Sequence, residues 1–549
     1  MSGRIRQAAT GDAGIVAIWT ALMAVVLFGM AAIAVDVARW YVEGERLQKT
    51  VDAAALAGAV YLPGDGNGAD AAAKSIAQKN GWTIDGTKVT FTPGRGVRPS
   101  QMRVTMSSTI SNAFAGLLGF PTSTVTRTAV AEYAGPVPMG SPCNVFGRED
   151  MESTLPSGSQ GTVGSSACSS AGKYWANIAG QFVNKARGDA YAASWCTKPD
   201  DGVGIDGCSR IDSSGTNPGQ NLEYNSAGYV YIARVKASGY LDLQGYDMGW
   251  VATGDNCDTG NLVGVTAANA YTKTKAEATA RYAKGAASPF CTGDTQMTLP
   301  EGDNSTVRTI VTVRRPSSSP WNPLGGQVAC TLNLPGWPLS TTAAALQSDS
   351  LLAQTYHRWM SLCPTPLFAQ AGEDWSIQVQ TVGGGGQNRF ALRAAMTSGA
   401  TGADVSIFGA GKVSLFNNVP AGTSTFNVLR LDSSTAGHIL SVQFFDLGDA
   451  TAPVSVTLLQ PDSNTPFATC TGIGPFSGNL PGCTVTTTAA KNGGRWQTFQ
   501  APIPANYTCS DDRDQGKCWV RIKLTTTSGQ ADTTTWSASL SGDPLRIVQ

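Results

Sequence analysis

The most constraining feature of the sequence is an uncharged, mostly apolar run near its start, residues 13–35. An apolar α-helix needs roughly 20 residues to cross a hydrocarbon core about 30 Å thick, so this run is long enough to span a bilayer. The alternative is a cleaved secretory signal, whose apolar core has roughly 7–15 residues and ends at a box of small residues. The run is longer than that, and no clear cleavage box follows it. We therefore predict a permanent membrane anchor.

The charges on either side of the run predict its orientation. Arg4 and Arg6 precede it, whereas the residues that follow carry charges of both signs. Basic residues favour the cytoplasmic side of a membrane. We predict a single-pass protein of the cell membrane, with its N-terminus cytoplasmic and the bulk of the chain extracytoplasmic.

The helical pattern continues beyond the run to Leu62, where a Pro–Gly pair ends it. This second half carries a stripe of small apolar residues spaced three or four apart: Leu47, Val51, Ala54, Ala55 and Gly58. Small residues allow another helix to approach closely. Two interpretations stay open, contact with a helix of a partner protein and packing on the chain's own domain.

The same segment carries a family resemblance. The run leads into VDVARWYVEGERLQKTVDAAALAGA, which ends in a DAAALAGA signature at residues 52–59. This arrangement resembles the N-terminal segment of TadG-like proteins of Flp (Tad) pilus assembly, most specifically over residues 11–62. The resemblance implies a membrane-anchored role in pilus assembly, with other Flp/Tad pilus assembly proteins as partners.

One departure bears on processing. Related Tad pseudopilins carry a Gly followed five residues later by a Glu, which directs cleavage by prepilin peptidase. Here Gly11 is followed by Val16 at that position. The departure favours an assembly or accessory protein over a pilin subunit.

The cysteines indicate an oxidising compartment. All twelve lie beyond residue 140, and an even count in an anchored chain favours disulfides. The absence of a CxxC motif and the presence of only two histidines disfavour a structural zinc site. Short intervening loops favour three pairs: Cys196 with Cys208, Cys470 with Cys483, and Cys509 with Cys518.

Strand patterns and turn residues predict the organisation of the rest. We expect an α+β protein with a mainly β distal part: a single N-terminal transmembrane helix, a small α/β unit, and two antiparallel, jelly-roll-like β-sandwich domains. The predicted segments are an anchor and stalk (1–62), a pilin-like α/β unit (63–135), a first sandwich (136–339), a helical connector (340–370) and a second sandwich (371–549), both sandwiches with disulfides.

The two sandwiches are predicted to be diverged copies. Residues 239–247 and 437–446 both start at a Gly, alternate apolar and polar side chains, and end in an aromatic–Asp pair. Strands at residues 228–235 and 425–431 precede these motifs at similar distances. Later alternating stretches at 307–313 and 519–524 extend the comparison.

Residues that could carry chemistry are few. His357 and His438 have no nucleophile motif beside them, and the carboxylates Glu373 and Asp374 cannot be placed across a cleft from sequence. No catalytic residue is predicted. Calcium is the one cofactor that a pattern favours, because Asp446 and Asp449 flank a Leu–Gly turn at a strand end. The alternative is an Asx turn, in which the Asp side chain bonds its own backbone.

The balance of charge bears on partners. The 39 basic and 39 acidic residues give a net charge of zero, so no electrostatic footprint for nucleic acid is present. We predict a non-catalytic, membrane-anchored, extracytoplasmic component of Flp/Tad pilus assembly or of pilus-associated adhesion. The alternatives are a lectin-like protein that binds surface glycans through exposed tryptophans and a cell-wall hydrolase.

Overall fold

The structure, a computed structural model, is described here for the following residues: 12–62, 66–96, 101–133, 137–140, 143–148, 174–196, 204–209, 219–255, 257, 275–285, 288–297, 306–317, 322–396, 404–419, 421–447, 453–461, 463–509, 518–540 and 545–547. The chain divides into two compact units. Unit 1 comprises Met1–Gly135 and Gly542–Gln549, and unit 2 comprises Pro136–Ser541.

The helices of the described residues are α1 (Asp12–Ala59), α2 (Gly66–Lys79), α3 (Lys275–Arg281), α4 (Ala345–Ser348), α5 (Ser350–Thr355) and α6 (Ala489–Asn492). The strands are β1 (Val89–Arg95), β2 (Gln101–Ser111), β3 (Thr122–Tyr133), β4 (Pro138–Gly140), β5 (Val145–Phe146), β6 (Tyr174–Ala179), β7 (Trp195–Cys196), β8 (Gly219–Gln220), β9 (Tyr229–Val235), β10 (Gly239–Tyr246), β11 (Thr295–Gln296), β12 (Arg308–Arg314), β13 (Val328–Leu334), β14 (Trp359–Ser361), β15 (Leu367–Ala369), β16 (Asp374–Val382), β17 (Gly386–Met396), β18 (Val405–Ala410), β19 (Lys412–Val419), β20 (Gly422–Arg430), β21 (Ile439–Phe445), β22 (Val454–Leu459), β23 (Thr471–Ile473), β24 (Gly478–Asn479), β25 (Thr484–Thr487), β26 (Trp496–Pro502), β27 (Trp519–Thr526), β28 (Gln530–Leu540) and β29 (Leu545–Ile547). An N-terminal apolar helix followed by mainly antiparallel sheets confirms the predicted fold class.

Unit 1 is built on the second half of α1. Its antiparallel sheet has the order β1-β2-β3-β29, so the last strand of the chain pairs with β3 beside the N-terminal segment. One face of α1 and the alanine face of α2 pack on this sheet. Small side chains dominate the contact, which lets the helices lie close to the strands.

Gly58 marks the closest approach in this core. A Cβ atom at this position would lie 2.9 Å from the carbonyl oxygen of Ala69 and 2.9 Å from Cγ of Met102. The absence of a side chain therefore allows α1, α2 and β2 to meet. Gly29, in the first half of the same helix, has nothing within 4 Å of such an atom.

Unit 2 consists of two large antiparallel sheets. Sheet A has the order β14-β10-β17-β6-β19-β28-β21-β26-β23-β24, and sheet B has the order β13-β12-β16-β9-β18-β4-β20-β27-β22-β25. Aromatic rings from the two sheets pack against each other, as Tyr231 does on Phe390 and Phe426 on Trp536. The core therefore lies between the sheets, as in a β-sandwich.

The strand orders reveal an internal repeat. Sheet A divides between β6 and β19, and sheet B divides between β18 and β4. Going outward from these points, the strands on one side follow each other in the same order as their counterparts on the other side. The equivalent strands are β6 and β19, β9 and β20, β10 and β21, β12 and β22, β13 and β25, β14 and β26, β16 and β27, and β17 and β28. The two aromatic–Asp motifs thus end equivalent strands, β10 and β21.

The limits of the copies differ from the predicted segments. The β16–β17 hairpin pairs with β9, β12, β10 and β6, so it belongs to the first copy although it lies beyond residue 371. The second copy begins near β19. The predicted equivalence of the stretches at 307–313 and 519–524 therefore does not hold. The first stretch is β12, whose counterpart is β22, and the second is β27, whose counterpart is β16.

The predicted connector lies inside the first copy. Residues 340–370 form the short helices α4 and α5 and then β14 and β15, which both pair with β10 in sheet A. The helices bury Leu346 and Leu352 against Trp337 and Tyr282. Because the strands of the two predicted sandwiches share both sheets, residues 340–370 do not separate two bodies.

Substituting Gly58 should loosen unit 1. We expect Gly58→Val to destabilise it by about 1–3 kcal/mol, because the added atoms overpack a contact that includes rigid backbone. Hydrogen–deuterium exchange of the full chain in detergent should show faster exchange in peptides covering β2 and β3. Gly29→Val is the matched control and should leave those peptides unchanged; equal exchange in both variants would contradict the packing described.

Candidate functional site

The first half of α1 is the anchor, residues 13–35. Its apolar side chains from Ile15 onward are exposed, and none of its most apolar 18-residue window is buried within the protein. The exposed side chains include Val25 and Phe28, at 71% and 75%. No part of the described chain covers this apolar surface, and the length and composition of the segment suit a membrane span.

Asp36 is the first charged residue after the anchor. It is only 1% exposed, because its carboxylate accepts hydrogen bonds from three consecutive backbone N–H groups, those of Ala113, Phe114 and Ala115, at 2.7–2.8 Å. The anchor therefore ends at the residue where α1 forms hydrogen bonds with the β2–β3 loop of unit 1. Asp36 is one of the flanking charges but not one of the predicted site residues, although its place directly after the uncharged run was a usable signal.

The predicted helix-packing stripe lies in the core of unit 1. Leu47, Val51, Ala54 and Ala55 are fully buried, and Gly58 is buried beside them. They contact the alanine face of α2 and the β2 and β3 side chains Met102, Val104 and Ala129. Of the two interpretations left open, the structure shows packing on the chain's own domain.

Asp247 and Asp446 occupy equivalent corners of the two copies. Each follows its strand with a positive φ, 51° and 61°, and each is fully buried. The backbone N–H of Asp247 donates to the carbonyl oxygen of Arg358, and its Oδ1 accepts from the N–H of His357. In the second copy, the N–H of Asp446 donates to the carbonyl oxygen of Arg495, and its Oδ1 accepts from the N–H of Gly494. Each corner thus ties the end of one strand to the start of the next.

The corners share a sequence signature. Arg358–Trp359 and Arg495–Trp496 begin the partner strands, and the two Trp rings lie against Tyr246 and Phe445, with centroids 5.5 and 5.2 Å apart. The repeated Arg–Trp pair was a signal that sequence analysis did not use. It marks where the equivalent strands β14 and β26 begin.

The structure describes only one of the two carboxylates of the calcium hypothesis. Asp446 uses its carboxylate to hold the backbone of Gly494, whereas Asp449 lies outside the described residues. Among the residues that are described, no group of three or more His, Cys, Asp or Glu side chains is placed to hold a metal ion. Calcium binding stays a prediction.

The corner of the first copy has a buried polar cluster. Asp247 Oδ2 accepts a hydrogen bond from Thr292 Oγ1 at 2.7 Å and lies 4.0 Å from His357 Nε2. His357 Nδ1 bonds the carbonyl oxygen of Arg281 at 2.7 Å. Nearby, Asp294 accepts from the backbone N–H groups of Val251 and Arg389, both at 2.8 Å.

Burial shifts the protonation of this cluster. It raises the pKa of Asp247 to about 7 and lowers the pKa of His357 to about 3. Burial, and then the charge of Asp247, raise the pKa of Asp294 well above its usual range. These groups are buried, and each of them hydrogen-bonds backbone groups of neighbouring segments.

The other candidates for catalysis are engaged in local contacts. Asp374 forms a two-bond ion pair with Arg234, with both distances 2.8 Å. Glu373 Oε2 accepts from the backbone of Gln370 and from the indole of Trp375. His438 is buried at the start of β21. Sequence reasoning could not place these carboxylates, and the structure places them beside structural partners.

The disulfides follow loop length in part. Cys196 is bonded to Cys208, Cys470 to Cys483 and Cys509 to Cys518, the pairs that short loops favoured. Two longer loops were not anticipated; they are closed by the Cys257–Cys291 and Cys330–Cys363 bonds.

Substituting Asp247 should change how stability depends on pH. In the unfolded chain this carboxyl ionises near 3.8 and in the folded chain near 7, so the folded state holds an extra proton between these values. Raising the pH from 4 through 7 therefore lowers the free energy of unfolding of the wild type. Asp247→Asn stays neutral, so its stability relative to wild type should improve over that range by at least about 1.4 kcal/mol, which corresponds to one pH unit of pKa difference.

Urea unfolding at pH 5 and pH 8 measures this. Asp374→Asn removes an exposed acidic group from the same unit and serves as the control. A constant difference between Asp247→Asn and wild type across this range would contradict the buried, proton-holding state.

Comparison with known proteins bears on the N-terminal segment. Residues 14–60 match the model of a family described as "Putative Flp pilus-assembly TadE/G-like", which confirms the resemblance found in the sequence. The match spans α1 and leaves the sandwich outside it. No curated protein matches the chain.

A solved structure similar to part of the chain is the N-terminal CBM22-1-CBM22-2 tandem domain of Xyn10C from Paenibacillus barcinonensis. The alignment has 12% identity and covers 45% of this chain and 81% of that one, with a TM-score of 0.13. A likeness at this TM-score carries no argument about fold or ligand.

Proposed function

We propose that this protein is a non-catalytic, membrane-anchored component of Flp/Tad pilus assembly, with unit 2 and the part of unit 1 beyond the anchor outside the cytoplasm. The observation that carries the proposal is the family match over residues 14–60, on a helix whose first half is apolar and exposed. The anchor explains why the chain would stay at the membrane where pili are built. The stretch after it supplies a folded unit that other assembly proteins can contact.

Two further observations support the orientation. Arg4 and Arg6 precede the anchor, which favours a cytoplasmic N-terminus. The disulfides of unit 2 favour an oxidising compartment for the residues beyond it. Unit 2, with its large two-sheet body, is the part available for adhesion or for contacts with the assembled pilus.

Counting surface pili tests the proposal. Deleting the gene should remove or strongly reduce pili, and the full chain should restore them. Normal piliation without the protein would contradict the assembly role.

The structure allows a sharper complementation than simple truncation. Removing the C-terminus would also remove β29, which pairs with β3 in unit 1. Since Tyr133 lies opposite Leu545, a short Gly/Ser turn can replace Pro136–Ser541 and keep this pair. Rescue by this shortened chain would confine assembly to unit 1, whereas rescue by the full chain alone would make unit 2 part of the assembly role.

A second candidate function is the binding of surface glycans by unit 2. The observation that favours it is an exposed aromatic pair: Tyr240 on β10 lies opposite Phe368 on β15, with exposures of 49% and 56% and ring centroids 5.5 Å apart. Exposed rings offer apolar faces on which sugar C–H groups can pack. The tryptophans Trp250 and Trp519 do not, because both are buried.

Binding of the full chain to cell-surface polysaccharide tests this candidate. A double variant, Tyr240→Ala with Phe368→Ala, should weaken binding at least about tenfold if the pair supplies two stacking contacts of roughly 1 kcal/mol each. Leu222→Ala removes another exposed apolar side chain and is the control. Unchanged binding in the double variant would remove this candidate.

A further inference from the structure

The loop between β2 and β3, residues 112–121, exposes an unusual amount of apolar surface. It contains the short 3-10 helix Ala115–Leu118. Four of its side chains point into solvent: Phe114 at 41%, Leu117 at 86%, Leu118 at 65% and Phe120 at 66%. Elsewhere between residues 43 and 133, no large apolar side chain of the described residues is exposed, so this exposed cluster needs an occupant.

Hydrogen bonds hold the first residues of the loop against α1, and a further bond ties the two ends of the loop together. The carboxylate of Asp36 binds the backbone of residues 113–115, and the indole Nε1 of Trp40 donates to Asn112 Oδ1 at 2.8 Å. The Asn112 side chain then donates to the carbonyl oxygen of Phe120 at 2.8 Å. The apolar side chains are therefore held in place beside the helix.

The position of the loop along α1 identifies what it can contact. Asp36 directly follows the anchor, so the loop lies where the apolar run of α1 ends. The residues of β2 that lie further from the loop also lie further along α1 from the anchor. Ser108 donates to Glu43, and Met102 lies beside Gly58. At a rise of about 1.5 Å per residue, Gly58 is roughly 33 Å further along the helix than Asp36.

We propose that Phe114, Leu117, Leu118 and Phe120 insert into the membrane–water interface beside the anchor. This inference rests on the membrane anchoring proposed above. The occupant is lipid, because the loop's apolar surface continues that of the anchor at the same level. Exposed Tyr41 and the half-buried Trp40 on the adjoining turn of α1 are residue types that favour this interface. Besides the spanning helix, unit 1 thus gains a second membrane contact that limits its tilt.

Spin labels at three introduced cysteines test the proposal in the full chain, reconstituted in vesicles of phosphatidylethanolamine and phosphatidylglycerol. Leu117→Cys reports the loop, and Leu27→Cys, at a position 62% exposed, reports the anchor. Thr92→Cys is the aqueous control: it is exposed on β1 opposite Thr105, roughly 20 Å from the loop end of β2 at about 3.3 Å per residue. Collision rates with oxygen and with a neutral, water-soluble nickel chelate are measured at each site.

The expected result is that labels at 117 and 27 collide preferentially with oxygen, whereas the label at 92 collides preferentially with nickel. A label at 117 that behaves like the one at 92 would overturn the proposal while the anchor stands. Low collision rates with both reagents at 117 would indicate a protein partner and would overturn it as well. Preferential nickel collisions at 27 would instead refute the anchoring itself.

Discussion

The structure depends on how α1 divides its apolar surface along one continuous helix. From Ile15 to Val35 the large apolar side chains are exposed, and from Leu47 to Ala59 a narrow stripe is buried under α2 and the sheet. Asp36 lies between the two parts and bonds the β2–β3 loop. Because α1 is one continuous helix, helical rise sets the distance along it between the anchor and the buried stripe. The hydrophobic effect assigns the first half to a bilayer and the second half to a protein core.

Unit 2 is organised differently, because the same order of strands occurs twice in it. The two copies join through the β6–β19 pair in sheet A and through β18 and β4 in sheet B, so their sheets are continuous. Each copy keeps a buried Asp with positive φ and an Arg–Trp pair at the same corner. The first copy places His357 where the second has Gly494, and His357 contacts Asp247 and the carbonyl oxygen of Arg281. These groups give the first copy a buried polar cluster at a position where the second has a glycine.

How much of this could be predicted from sequence depended on the range of the interactions involved. The anchor, the class of fold, the short-loop disulfides and the equivalence of β10 with β21 all have local signatures. The limit of the first copy has no local signature, because the β16–β17 hairpin pairs with strands up to about 250 residues earlier in the chain. The same holds for β29, which pairs with β3 about 400 residues earlier, and for Asp36, whose hydrogen-bond partners lie 77–79 residues later. The stripe around Gly58 showed that something packs closely there, but sequence alone could not say whether that was a partner or the chain's own α2.

The central claim is that α1 crosses the membrane and leaves the folded units outside the cytoplasm. Its most direct test is labelling of single introduced cysteines by a membrane-impermeant maleimide in spheroplasts, with Thr92→Cys reporting unit 1 and Ser2→Cys reporting the N-terminus. The account predicts that position 92 is labelled in intact spheroplasts and that position 2 is labelled only after lysis. Labelling of position 2 in intact spheroplasts with protection of position 92 would contradict it.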